Sequence, residues 1–235
     1  MTNPFEIREI EGKRYSVVPP NASRMVRGMG RLSYEFEQAI ADLVDNSIAA
    51  NATKVDISIE QRVGGKVYVH VADNGIGIRA DDLPSAIQYG AADRKDDSSL
   101  GVYGFGLKTA CQSFTSSFSV VSKVKGEPDA NMIVFDENVI DQHNDFLFLL
   151  DRAPSKYAKT LNELFNNDAG TLIVTEHADR LLTSENAKDD KKMQSYLSGG
   201  AKGKIHKTKQ HLRRTFQRFL DTEDTRVPNV EICVN

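Results

Sequence analysis

The chain has 235 residues, of which 40% are hydrophobic and 27% charged, with a formal net charge of −3 and 2 cysteines. This composition fits a globular protein with a sizeable core, excludes a low-complexity or fibrous chain, and gives no global electrostatic case for a polyanionic partner. The longest apolar run, residues 146–150, is too short for a bilayer, and the N-terminus lacks the basic-then-apolar order of a secretory signal. A cytoplasmic, membrane-free protein is expected, with Cys111 and Cys233 as buried free thiols.

Residues 1–32 alternate weakly and contain Pro19-Pro20 and Gly28-Met29-Gly30, which reads as an N-terminal arm or strand followed by a loop. From Ser33, a plausible N-cap, Phe36, Ala39, Ile40, Leu43 and Val44 recur at helical spacing. Asp42, Asp45 and Asn46 fall on the opposite side at i, i+3 and i+4, where their side chains can converge. Two carboxylates and an amide can supply oxygens to a hard divalent cation and a base for water, and the same pattern also fits a solvated face. Residues 55–59 and 67–71 alternate as half-buried strands, and Gly64-Gly65 between them marks a hairpin.

Asp73-Asn74-Gly75-Ile76-Gly77 follows the second of these strands directly. Asn-Gly after a strand fits an ordinary turn. A calcium loop is excluded, because the helical flanks and the acid at the twelfth position are absent. A buried carboxylate at a strand end can instead accept an exocyclic amine, with glycines letting a base lie against the backbone. The polar stretch 90–99, between Gly90 and Gly101, reads as a mobile lid. Gly101-Val102-Tyr103-Gly104-Phe105-Gly106-Leu107-Lys108 then leads into a helix over 108–113. Its spacing is neither that of a P-loop nor that of a dinucleotide fingerprint. Glycines opening a helix expose N–H groups at its positive end, where phosphates bind, and Lys108 adds a point charge.

Strands are expected over 118–122, 132–135, 146–150 and 171–175, then a mostly helical tail over 188–220 broken by Gly199-Gly200 and Gly203. Residues 230–234 read as a strand that stops at the chain end, which suggests a downstream domain. Lys191, Lys192, Lys202, Lys204, Lys207, Lys209, Arg213, Arg214 and Arg218 lie in a stretch without Asp or Glu. It reads as a solvated helical surface or as a phosphate-contacting one. Leu212, Phe216, Phe219 and Leu220 are the stripe that would dock it. Antiparallel strand pairs with helices between them give an α+β fold, a two-layer sandwich of a mixed, mostly antiparallel sheet and a helical layer.

Taken together, the motifs over roughly residues 33–175 resemble the ATPase superfamily of DNA gyrase, the ninety-kilodalton heat-shock chaperones, histidine kinases and MutL. Residues 42–46 are similar to its N box, 73–77 to its first glycine box, 101–108 to its second, and Gly170-Thr171 to its short third box. Residues 45–57 are closest in style to the MutL and MORC branch, in which nucleotide clamps two subunits together. The resemblance implies a Bergerat-type ATP-binding fold, ATP and Mg2+ as cofactors, an ATP-dependent homodimer and DNA contact through residues 191–218.

By position, Asp42 would be the catalytic base and Asn46 the magnesium ligand, while Asp73 and Thr171 would bind adenine. Gly75, Gly77, Gly101, Val102, Tyr103, Gly104, Phe105, Gly106, Leu107 and Lys108 would line the nucleotide. The base position in this branch is normally Glu; Asp42 sets its carboxylate about 1.5 Å further back, and misplacement by about 1 Å can cost about 10²-fold in rate. Slow hydrolysis is therefore expected, with a non-hydrolysing nucleotide switch as the alternative. A histidine-kinase-like phosphotransferase ranks below both, because the 32 residues before the helix contain no His. The organisation expected is an arm over 1–32, an ATP-binding core over 33–185 and a basic helical extension over 186–235.

Overall fold

Alternation of β-branched residues with polar ones dictates the sheet. In the computed structural model, which describes residues 6–31, 35–62, 65–89, 106–165, 169–182 and 189–235, a small hairpin comes first: β1 (Ile7–Ile10) and β2 (Lys13–Ser16), exposed throughout. The main sheet comprises β3 (Lys54–Arg62), β4 (Lys66–Asp73), β5 (Ser117–Lys123), β6 (Asn131–Asp136), β7 (Leu149–Arg152), β8 (Gly170–Thr175) and β9 (Glu231–Val234). Their order is β7-β6-β5-β8-β4-β3-β9. Every neighbouring pair is antiparallel except β3 and β9, so the sheet is mixed and mostly antiparallel, as expected. Register pairs Ile57 with Val71 and Ile59 with Val69, which sends both apolar sets to one face.

That face meets the helical layer. Helices α1 (Ala22–Met29), α2 (Phe36–Ala49), α3 (Leu83–Ile87), α4 (Gly106–Phe114), α5 (Glu137–His143), α7 (Asp190–Ser198) and α8 (Lys204–Thr215) all contribute to one buried cluster with Val55, Ile57, Val69 and Val71. The stripe of α2 read from the sequence, Phe36, Ala39, Ile40, Leu43 and Val44, is at most 4% exposed. Each such Leu or Ile contributes about 1.5–3 kcal/mol by leaving water. Phe36 packs edge-on against Phe114, ring centroids 5.3 Å apart, and this ties α2 to α4. The opposite face is partly covered by α6 (Ser155–Phe165), whose Tyr157 and Leu161 close a second cluster on Val121, Leu172 and Val174.

Several expectations require correction. Ser33 lies outside the described residues and is not the N-cap of α2; Glu35 is, and its N–H donates to Gln38 Oε1 at 3.3 Å. The loop expected before residue 30 contains α1, capped by Asn21, whose side chain accepts from the Arg24 N–H at 2.8 Å. Asp141 of α5 bonds to both Ser23 and Arg27 and so fixes α1 on the core. The strand expected over 146–150 pairs over 149–152 instead. Phe146 and Phe148 owe their apolar character to packing on Tyr89 and Phe135 rather than to a ladder. Cys111 is buried, whereas Cys233 is only half-buried because β9 is the edge of the sheet. Among the described residues no helix is long and apolar enough to cross a membrane.

Candidate functional site

Asp73 is the last residue of β4, held between β3 and β8 by pairing with Val55 and Thr171. It is 5% exposed, a costly position for a carboxylate without donors. Its Oδ2 accepts from Ser47 Oγ at 2.9 Å and its Oδ1 accepts from the Gly75 N–H at 2.9 Å. Burial pushes its pKa up, and the Gly75, Ser47 and Thr171 donors oppose that rise. A carboxylate offers about four acceptor positions, so these two bonds leave it capacity for a further donor.

The first glycine box takes its shape from close backbone approach. The Ile76 N–H bonds the Ala50 carbonyl at 3.0 Å, and a Cβ on Gly75 would come within 2.8 Å of that same oxygen. Gly77 has φ +74°, and a Cβ there would come within 2.0 Å of the Lys123 carbonyl oxygen. Asn74 braces the box from behind. Its Oδ1 accepts from the Thr53 and Lys54 N–H groups, each at 2.9 Å, so the segment is not a simple hairpin turn.

Thr171 is 8% exposed, with its Oγ1 2.9 Å from Ser122 Oγ. Ser122, fully buried on β5, also donates to the Gly170 carbonyl at 3.0 Å and accepts from the Ile78 N–H at 2.8 Å. Sequence reasoning missed both Ser47 and Ser122. The signal for Ser47 was its place one residue after Asn46 on the helix face that meets the strand end. For Ser122 it was a hydroxyl on a strand among apolar residues, opposite Thr171 in register.

The hydrogen bond between Ser47 and Asp73 joins two motifs 26 residues apart in sequence. Asp42 and Asp45 are half-buried on α2 and Asn46 is exposed. Burial raises the Asp45 pKa first, and the negative charge of Asp42 raises it further, so these two carboxylates sense one another. Among the described residues no group of three or more His, Cys, Asp and Glu side chains could by itself hold a metal ion.

Gly101, Val102, Tyr103, Gly104 and Phe105 of the second glycine box, and the lid expected over 90–99, lie outside the described residues. Gly106, Leu107 and Lys108 form the first turn of α4, where N–H groups lack intrahelical partners. The Lys108 side chain does not extend into water. It is 1% exposed, with Nζ 3.4 Å from the Ala86 carbonyl and 5.5 Å from the centre of the Tyr89 ring. Burial lowers its pKa to about 8.

In the tail, Lys204 is held on α2 by Glu37 at 3.2 Å and Glu35 at 4.0 Å. The other eight cations of the acid-free stretch are exposed. Leu212 and Phe216 are buried, and Phe219 and Leu220 are partly buried against the same cluster, so the docking stripe stands as read.

A family model described as histidine kinase-, DNA gyrase B-, and HSP90-like ATPase matches residues 34–171. The DNA mismatch repair protein MutL of Aquifex aeolicus is 32% identical over 93 residues, covering 38% of this chain and 21% of that protein. ATPase MORC2A of Mus musculus is 28% identical over 142 residues, 59% of this chain and 14% of that protein. ATPase MORC2 of Homo sapiens is 34% identical over 89 residues, 36% and 9% respectively. The matched stretch thus spans 21% or less of these relatives.

Proposed function

Because the chain belongs to the histidine kinase-, DNA gyrase B-, and HSP90-like ATPases, a family that supports ATP binding, we propose that it binds Mg–ATP and hydrolyses it slowly. The observation that carries this reading is the buried Asp73 carboxylate, held by two donors with acceptor capacity left over. Adenine presents an amine to such an acceptor, whereas guanine presents a carbonyl there. Thr171, fixed by Ser122, stands beside Asp73 in register and supplies a hydroxyl to the same base.

Asn46 would hold Mg2+, an ion that keeps much of its hydration and takes few protein ligands. When bound, the ion would supply positive charge that neutralises the phosphates. Gly106, Leu107 and Lys108 offer N–H groups and a cation to the triphosphate. Asp42 takes a proton from the attacking water. ATP binding brings two copies together, and exposed cations of α7 and α8, Lys207, Lys209, Arg213 and Arg214 among them, contact DNA. Lys204 is committed to α2 and takes no part.

The test is Asp73→Asn. Loss of a charge-assisted acceptor costs about 1.5–3 kcal/mol, so ATP affinity should fall about 10- to 100-fold while the fold persists. Unchanged affinity would remove the adenine assignment. The short side chain at position 42 favours a second reading, a switch that binds without hydrolysis. Tight binding with no phosphate release above a no-enzyme control would select it.

A further inference from the structure

Lys108 is placed where a lysine is rarely found. It is 1% exposed, and among the described residues its Nζ faces the Ala86 carbonyl and the Tyr89 ring rather than a carboxylate. Both partners are neutral and belong to α3 or to the segment just beyond it. They satisfy an ammonium partly, and burial accordingly lowers its pKa to about 8. The ring itself is held. Tyr89 donates its hydroxyl to Gln112 Oε1 at 2.9 Å and packs on Phe146 at 5.6 Å between centroids. Gln112 is fully buried on α4 and donates to the Val26 carbonyl of α1 at 3.5 Å.

Phosphate oxygens are far better partners for an ammonium than a carbonyl dipole and an aromatic face, because they carry full charge. Lys108 therefore has two arrangements of different quality, one inward on α3 and one on a triphosphate. We propose that Tyr89 is a positioning residue whose ring face holds the Lys108 ammonium in an inward rest site, and that ATP binds by drawing it out. Tyr89 in this way sets the affinity for the triphosphate without touching it. The inference rests on the reading of Lys108 as a phosphate contact.

The experiment measures Mg–ATP affinity by calorimetry for the wild type, Tyr89→Leu, Tyr89→Phe, Lys108→Met and the Tyr89→Leu/Lys108→Met double variant. Removing the ring face abolishes a cation–π contact, so Tyr89→Leu should bind ATP about three- to tenfold more tightly. Tyr89→Phe keeps the face and should stay within about twofold of wild type. Lys108→Met should weaken binding, and Tyr89→Leu should then add nothing. A purely structural role for Tyr89 would weaken binding, the opposite sign.

If Lys108→Met binds as wild type does, the phosphate role of Lys108 falls. If Lys108→Met weakens binding but Tyr89→Leu does not tighten it, the rest site alone is overturned. Proton uptake answers the same question without altering Tyr89. At pH 8, calorimetry in buffers of different ionisation enthalpy should show the wild type taking up about half a proton as ATP binds and Lys108→Met taking up none. Equal uptake in both would overturn the rest site.

Discussion

The two ends of the proposed nucleotide site are built on opposite principles. Around Asp73 the groups are already in place: Ser47 and Gly75 hold the carboxylate, and Ser122 holds Thr171 and the Ile78 N–H. Around Lys108, the charged group is withdrawn onto neutral partners, and Asn46 stands exposed on α2. A rigid acceptor suits an unchanging base, because preorganisation spares the cost of ordering at binding. On the proposed reading, a group with two arrangements would suit the phosphates, the part of the ligand that changes on hydrolysis, and would give the protein something to report.

The largest expected effect lies at the chemistry. Asp42→Ala should leave ATP affinity near wild type and reduce turnover by about 10²–10⁴-fold, the range for a positioned general base. Equal turnover, measured as phosphate release at saturating ATP, would place the base elsewhere. Asp42→Glu sharpens the point: if the missing methylene limits the rate, this variant should be faster than wild type by about tenfold or more.

At the rigid end, Ser122→Ala should cost about 1–3 kcal/mol, because it leaves the Ile78 N–H and the Thr171 hydroxyl short of a partner. Thermal unfolding should show a melting temperature lower by about 3–8 °C. No change there would mean that the Asp73 end is less rigid than its hydrogen bonds imply.

At the switching end, the sign of a pH effect is fixed. The Lys108 pKa is depressed in the fold from 10.5 to about 8, so between those values the unfolded chain binds a proton that the fold does not. Stability should therefore rise with pH through this window, and below pH 8 the burial cost is fully present. Lys108→Met should remove the rise, a difference of the order of 2 kcal/mol between the two proteins, read by denaturant unfolding at pH 7.5 and 10. The smallest effect is expected on the basic surface. Charge reversal at Lys209 and Arg213, both exposed, should leave stability within about 0.5 kcal/mol and reduce DNA affinity, with a shallower dependence on salt.

The contrast also explains what could be read from residues alone. The sheet was legible because Val55, Ile57 and Ile59 against Val67, Val69 and Val71 alternate without interruption, and period 2 admits one register. Helix α2 was legible from its stripe, and Asp73 from its place between a strand and two glycines. Helix α1 was obscured by Gly28 and Gly30, although Gly30 is only its C-cap. Helix α6 was missed even though Tyr157, Leu161 and Leu164 recur at helical spacing after Pro154. Three apolar residues among Lys, Thr, Asn and Glu make a weak stripe, and only the far face of the sheet gives it a place to dock.

The groups that set geometry through hydrogen bonds were the least legible. Ser47 and Ser122 are ordinary residues until register places them against Asp73 and Thr171. The inward course of Lys108 could not be read either, since it depends on the Ala86 carbonyl and the Tyr89 ring, which lie about 20 residues earlier and which no local pattern places beside it.

The most direct measurement is base selectivity. On the proposed reading Asp73, oriented by Ser47 and Gly75, would accept the amine of adenine and repel the carbonyl that guanine presents at the same place. Calorimetric titration of the wild-type protein with Mg–ATP and Mg–GTP should therefore show ATP binding at least about 10²-fold more tightly, a margin that a buried polar site can reach. Equal affinity for the two nucleotides would contradict the account at its root.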